Sequence, residues 1–206
     1  MIKNYSKIIF PNKKVNILVI MVLFLGVIMG SVFANIIGMN DRTLVIDKIK
    51  LFIDNINNNS INSLVVFKNS ISINLIYIIL IVLFSLAVLG IIFNLLLLFI
   101  KGFVFGFTIA GFILTYHYKG IILSLLYLLL GQLLNIFVII IITIYGLMVS
   151  LKFLKIIFKS DNIGVRKILK NYLIIIGLVI IISVIASICE AFLLPAIVKL
   201  IIKLFI

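Results

Sequence analysis

The chain of 206 residues has no tryptophan, one cysteine, one histidine, two prolines and five acidic residues. With Cys189 alone, no internal disulfide can form. With His117 as the one histidine, no zinc ligand set can be assembled. Charged residues make up 11% of the chain, against roughly 25% in a soluble domain. So few polar groups cannot cover a water-facing surface, and a soluble globular protein is excluded. Disorder is excluded by the opposite shortage, because it requires low hydrophobicity and 66% of these residues are apolar. What remains is a polytopic membrane protein. Without tryptophan, any aromatic belt at the membrane interface falls to Tyr5, Tyr77, Tyr116, Tyr118, Tyr127, Tyr145 and Tyr172.

Eighteen Lys and Arg residues against five acids give a net charge of +13. A nucleic-acid binder would need a soluble basic surface. Here the cations stand at the ends of apolar runs, where snorkelling and lipid headgroups account for them. The partner that follows is the lipid bilayer, and no nucleic acid is expected.

Val15 to Gly38 carries no charge over 24 residues, about 36 Å of helix against ~30 Å of hydrocarbon. Val32-Phe33-Ala34 resembles a signal-peptidase site, but the apolar run is long and continues to Ile37, so an uncleaved anchor is preferred. The pattern predicts an all-α fold with about five transmembrane helices, at 15–38, 71–93, 102–116, 121–150 and 172–195. Ile71 to Tyr116 is the ambiguous stretch, with Lys101 as its one charge. A turn is expected at Asn94–Lys101. A re-entrant segment near 94–116 is the alternative.

Residues 39–70 form an external loop holding three of the five acids, Asp41, Asp47 and Asp54. Val45, Ile49, Phe52 and Ile56 recur at helical spacing. An amphipathic helix capped by Asn40 or Asp41 is expected, then an Asn-rich break near Asn57–Asn59 and a second short helix. Such a helix lies on the lipid surface or offers a docking face to an external partner. Residues 1–14 are read as a cytoplasmic tail, 151–171 as a basic cytoplasmic loop and 196–206 as an interfacial tail. With the N-terminus inside, eleven of the eighteen basic residues fall on the cytoplasmic side and seven outside, the sense of the positive-inside rule.

Small residues recur every fourth position in three spans. They are Gly26, Gly30, Ala34 and Gly38; Gly102, Gly106 and Ala110; and Ser183, Ser187 and Ala191. Helices in lipid gain little from burying apolar surface, so close approach over small residues supplies their contact energy. These ladders serve internal packing or a face for another membrane protein. Glu190 is the one acid inside an apolar span. It stands eighteen residues beyond Tyr172, about 27 Å along the helix. A place near the outer interface is expected, with Lys119 or His117 as partner. Lys101 is expected at the inner interface, snorkelling. The sequence holds no nucleophile elbow, phosphate-binding glycine loop, metal-ligand spacing or carboxylate pair within one span, so neither an enzyme nor a cofactor is expected.

The run Leu95 to Thr108, with Lys101-Gly102 and Gly106-Phe107-Thr108, resembles the stage II sporulation protein M family. Three further places agree in order: Leu25 to Gly30 followed by Asn35, Gly131-Gln132, and Ala186 to Phe192 followed by Pro195. The chain departs from the family pattern where Gly131 replaces a proline and Leu133 an asparagine, and where Ile91 and Ile92 follow Gly90 without the family's proline. The resemblance implies an integral membrane protein of endospore-forming bacteria, acting in the mother-cell engulfing membrane or septum. It further implies a non-enzymatic anchor for two cell-wall hydrolases, stage II sporulation proteins D and P. The residues leave a second reading open, a small transporter or channel component using Glu190 and Lys101. Whether the chain forms a homo-oligomer is left open too.

Overall fold

The computed structural model describes residues 12–205 apart from 59, 88 and 160–164. Its elements are α1 (Lys13–Ile36), α2 (Met39–Asn57), α3 (Ser63–Ser85), α4 (Gly90–Leu126), a π turn (Tyr127–Gln132), α5 (Leu133–Lys159), α6 (Val165–Ile188), a second π turn (Cys189–Leu193) and α7 (Leu194–Phe205). No strand occurs among the described residues. Five helical segments are long and apolar enough to cross a membrane, as Lys13–Ile36, Ser63–Ser85, Gly90–Leu126, Leu133–Ile156 and Leu169–Leu200. Helix is the form these runs must take in lipid, because it satisfies every backbone polar group within the segment. The chain is an all-α polytopic membrane protein.

Local sequence sets several helix ends. The Asn12 side chain accepts a hydrogen bond from the Lys14 amide at the start of α1. That of Asn62 accepts from the Leu64 and Val65 amides at the start of α3. Neither Asn40 nor Asp41 caps α2, because the helix starts earlier, with Gly38 at the cap position.

Two turns differ from expectation. The predicted turn at Asn94–Lys101 is helix, and the chain reverses instead between Ser85 and Gly90. Gly90 lies against the Phe84 carbonyl, where a Cβ has no room, so this glycine permits the reversal. Lys101 therefore stands inside a helix rather than at an interface. The segment expected to be short runs from Gly90 to Tyr116, about 40 Å at 1.5 Å per residue, long enough for a full crossing. The chain then doubles back at His117, the only described non-glycine residue with positive φ (51°). Its ψ of −124° places it outside the left-handed helical well, in the conformation of the first central residue of a type II′ turn, and Gly120 fits closely under the Phe112 carbonyl. At the other end, Pro195 does not close the last span. Helix continues to Phe205: Pro195 directly follows the wide π turn, where the α-type bonding is already displaced, the Leu194 amide donating to the Cys189 carbonyl five residues back.

Side-chain contacts give the running directions. Gly26 meets Phe99, Gly102 and Phe103, and Gly106 meets Val27, so α1 and α4 run parallel. Asn74 pairs with Asn135, and Ser150 with Ser85, so α3 and α5 run parallel. Tyr172 bonds Ser85, and Ser187 lies on Ser70, so α6 opposes α3. The five long helices therefore alternate in direction. α5 is central, with 61% of its most apolar window buried against 22–33% in the other four. Val138, Ile139, Ile142, Ile144 and Leu147 form the core with Val19, Ile78, Ile81 and Leu98.

α2 does not lie free on the lipid. Ile53 and Ile56 are buried, and with Ile49 and Phe52 they pack on Phe112 and Leu123 of α4 and Leu194 and Val198 of α7. The apolar stripe read from the sequence is used within the chain itself.

Candidate functional site

All three small-residue ladders turn inward. In α1 and α4 they are one contact. A Cβ on Gly26 would stand 2.5 Å from the Phe99 carbonyl and one on Gly102 2.6 Å from that of Leu23, while Gly30 and Gly106 abut the Phe103 and Val27 backbones. Ala34 is fully buried. Ser31 donates to the Gly106 carbonyl at 3.1 Å across the same crossing. Gly38 lies outside this contact, with open space around it. Ser183, Ser187 and Ala191 are fully buried.

Glu190 sits where the two π turns meet. A π turn adds a residue to the helical ladder and is frequent at functional sites. The first turn carries Gly131 and Gln132, and the second carries Glu190. Gly131 lies at this junction, where an added Cβ would stand 2.6 Å from Leu194 Cδ1 and 3.8 Å from Glu190 Cγ. The Glu190 carboxylate accepts from three neutral donors. Ser70 Oγ is 2.6 Å and Asn135 Nδ2 3.2 Å from Oε2, and Gln132 Nε2 is 2.8 Å from Oε1. Asn135 is itself held, accepting from Asn74 Nδ2 at 2.9 Å and donating to the Gly131 carbonyl at 3.3 Å.

Magnitudes indicate that this carboxylate is well supported. Insertion of an acid at mid-bilayer costs ~3 kcal/mol. Hydrogen bonds to charged groups return ~1.5–3 kcal/mol each, so three of them offset the penalty. The expected partners were Lys119 or His117. The groups on its oxygens are instead Ser70, Gln132 and Asn135, and the cation that shares its cavity is Lys101. The physical reason is the α4 register, which continues helix through 94–101 and carries Lys101 eleven residues, about 17 Å, past Gly90.

The cavity measures about 190 Å³ and is lined by polar Ser70, Asn74, Lys101, Thr108, Tyr127, Gln132, Asn135 and Glu190. Ile73, Val104 and Phe105 also line it, so that the greater part of its free surface is apolar; Ile73 and Val104 are exposed, and it opens between α3 and α4 on the outer surface of the bundle. Lys101 Nζ lies 4.9 Å from the Tyr77 ring centroid, a contact worth ~0.5–2 kcal/mol. This is less than the insertion penalty of an ammonium, and no described acceptor forms a hydrogen bond with it. Glu190 and Lys101 are both legible in the sequence and are joined there in the transporter reading, whereas Ser70, Asn74 and Asn135 are not singled out as their setting. The available signal was polar residues within apolar runs.

A second polar cluster lies at the opposite end of α3. Ser85 Oγ donates to the Ile81 carbonyl and accepts from Asn94 Nδ2 at 2.9 Å and from the Tyr172 hydroxyl at 3.1 Å, while Ser150 Oγ donates to the Ser85 carbonyl at 2.9 Å. This cluster fixes the α3–α4 reversal against α5 and α6. Among the described residues no group of three His, Cys, Asp or Glu side chains is placed to hold a metal.

Residues 19–195 match the family described as Stage II sporulation protein M. The chain belongs to that family. The match runs from α1 to the start of α7 and includes every polar residue of the Glu190 cavity. No curated protein and no solved structure matches the chain. It is thus a multi-pass membrane protein of a sporulation family, with Glu190 and Lys101 brought into one intramembrane cavity.

Proposed function

We propose that the chain is a non-enzymatic membrane scaffold that anchors or organises stage II sporulation proteins D and P, the peptidoglycan hydrolases of engulfment, with its N-terminus in the mother-cell cytoplasm. Family membership supports the sporulation setting. The observation that carries the holding role is the docking of α2. Its apolar stripe is held on the bundle by Phe112, Leu123, Leu194 and Val198. Asp47, Lys48, Lys50 and Asp54 on its other faces are exposed. A mixed-charge surface on a rigidly seated helix outside the bilayer suits recognition of another protein. The basic-residue balance supports the orientation, even with Lys101 removed from the inner count.

Co-purification in mild detergent tests this. Both hydrolases should accompany the wild-type chain, and Asp47→Lys with Asp54→Lys should reduce their recovery while the bundle remains folded. If neither hydrolase accompanies the wild-type chain, the scaffold reading fails. The second reading, a small transporter or channel component, is favoured by the shared cavity of Glu190 and Lys101. Glu190→Gln separates the two: a flux lost while the protein keeps its location and its hydrolases supports transport.

A further inference from the structure

The Glu190 cavity contains two opposite, incompletely satisfied charges. A carboxylate offers about four lone-pair sites, and Ser70, Asn135 and Gln132 fill three, leaving an acceptor position on Oε1, where Gln132 alone donates. Lys101 has three N–H donors; its ammonium lies over the face of Tyr77, and no hydrogen bond from it to a described acceptor is formed. The two groups line the same cavity without closing into a direct ion pair. An ionisable side chain at membrane depth is by default a functional group. Here two such groups are held apart by the packing of α3, α4 and the paired π turns.

The cavity also has a size and a mouth. At about 190 Å³ it holds roughly six water volumes of ~30 Å³, below the ~300 Å³ at which drug-sized pockets begin. Its rim at Ile73 and Val104 opens sideways, onto the surface that faces lipid. Asn74 and Thr108 supply further polar contacts inside. A lone anion near Lys101 would face the Glu190 charge, and a lone cation near Glu190 would face Lys101. The complement of both together is a small group carrying one charge of each sign.

We propose that this cavity binds a zwitterionic aminoalkyl phosphate, its ammonium against Glu190 and its phosphate against Lys101. The chemistry is shared by an ethanolamine lipid headgroup reaching in between Ile73 and Val104 and by a free solute of the same structure. The inference is independent of the scaffold reading and requires no transport.

Titration calorimetry on the full-length protein in a neutral detergent tests it with glycerophosphoethanolamine, dihexanoyl phosphatidylethanolamine, glycerol 3-phosphate and ethanolamine. At least one of the two zwitterions should bind tenfold or more tighter than either probe carrying charge of one sign only. Lys101→Gln should abolish the preference over ethanolamine, and Glu190→Gln the preference over glycerol 3-phosphate. This exchange of selectivity between the two charge-removing variants is not produced by misfolding, and size-exclusion profiles check each variant. Binding of the dihexanoyl lipid without the glycerol ester supports the proposal with lipid as the source. Equal binding of both supports it with a soluble ligand. Absence of binding by both zwitterions, equal affinity for all four probes, or zwitterion affinity unchanged in both variants would overturn it and leave a water-filled cavity.

Discussion

At the scale of single residues, the glycines separate by what surrounds them. Gly30 faces the Phe103 backbone, whereas Gly177 in α6 has nothing within 4 Å of an added Cβ. Gly30→Ala should therefore destabilise by about 1–3 kcal/mol through overpacking against backbone that cannot give way. Gly177→Ala should stabilise by about 0.5–1 kcal/mol by removing glycine's entropy cost in a helix. Thermal unfolding in detergent reads both, and a midpoint that fails to fall for Gly30→Ala would contradict the tight α1–α4 crossing. Ser85 is the other decisive residue. Ser85→Ala strands the Asn94 amide and the Tyr172 hydroxyl, and each buried orphan costs ~1–3 kcal/mol. The same melt should show a loss of at least the larger single value, and Tyr172→Phe in the Ser85→Ala background should recover part of it.

At the scale of elements, α2 and the π turns were the least legible. Val45, Ile49, Phe52 and Ile56 showed a helix with an apolar stripe, but a stripe reads alike whether it meets lipid, a partner or its own chain. Here it meets Phe112 and the α7 residues Leu194 and Val198, which lie far away in sequence. Ile53→Ala with Ile56→Ala should undock α2, since each truncation of a buried isoleucine costs ~2–5 kcal/mol. Hydrogen exchange should accelerate across Met39–Asn57 while α5 stays protected. Uniform acceleration would mean that α2 holds the bundle together rather than resting on it. The π turns carry no local signature beyond Gly131-Gln132 and the Cys189-Glu190 run. They form because the two wide turns pack together and satisfy Glu190, a reason located between segments.

For the whole molecule, five alternating helices fix which ends share a side. Asn57 of α2 and Tyr118 beside the His117 reversal belong to one face, and Lys155 of α5 to the other. Single cysteines at these positions in a Cys189→Ser background, treated with an impermeant thiol reagent, should label as two against one. Protection of Tyr118 together with Lys155 would restore the re-entrant alternative for α4. Composition and hydropathy already specify a helical chain dissolved in lipid with about five crossings, because hydropathy and the demand for internal backbone bonding act on each segment alone. The ladder residues were visible too, but not their pairing. The packing of the helices adds that the α1 and α4 ladders are one contact, that the reversal falls at Ser85–Gly90, and that Lys101 faces the Glu190 cavity. Those outcomes depend on helix register, and register is set by which surfaces of separate segments fit together.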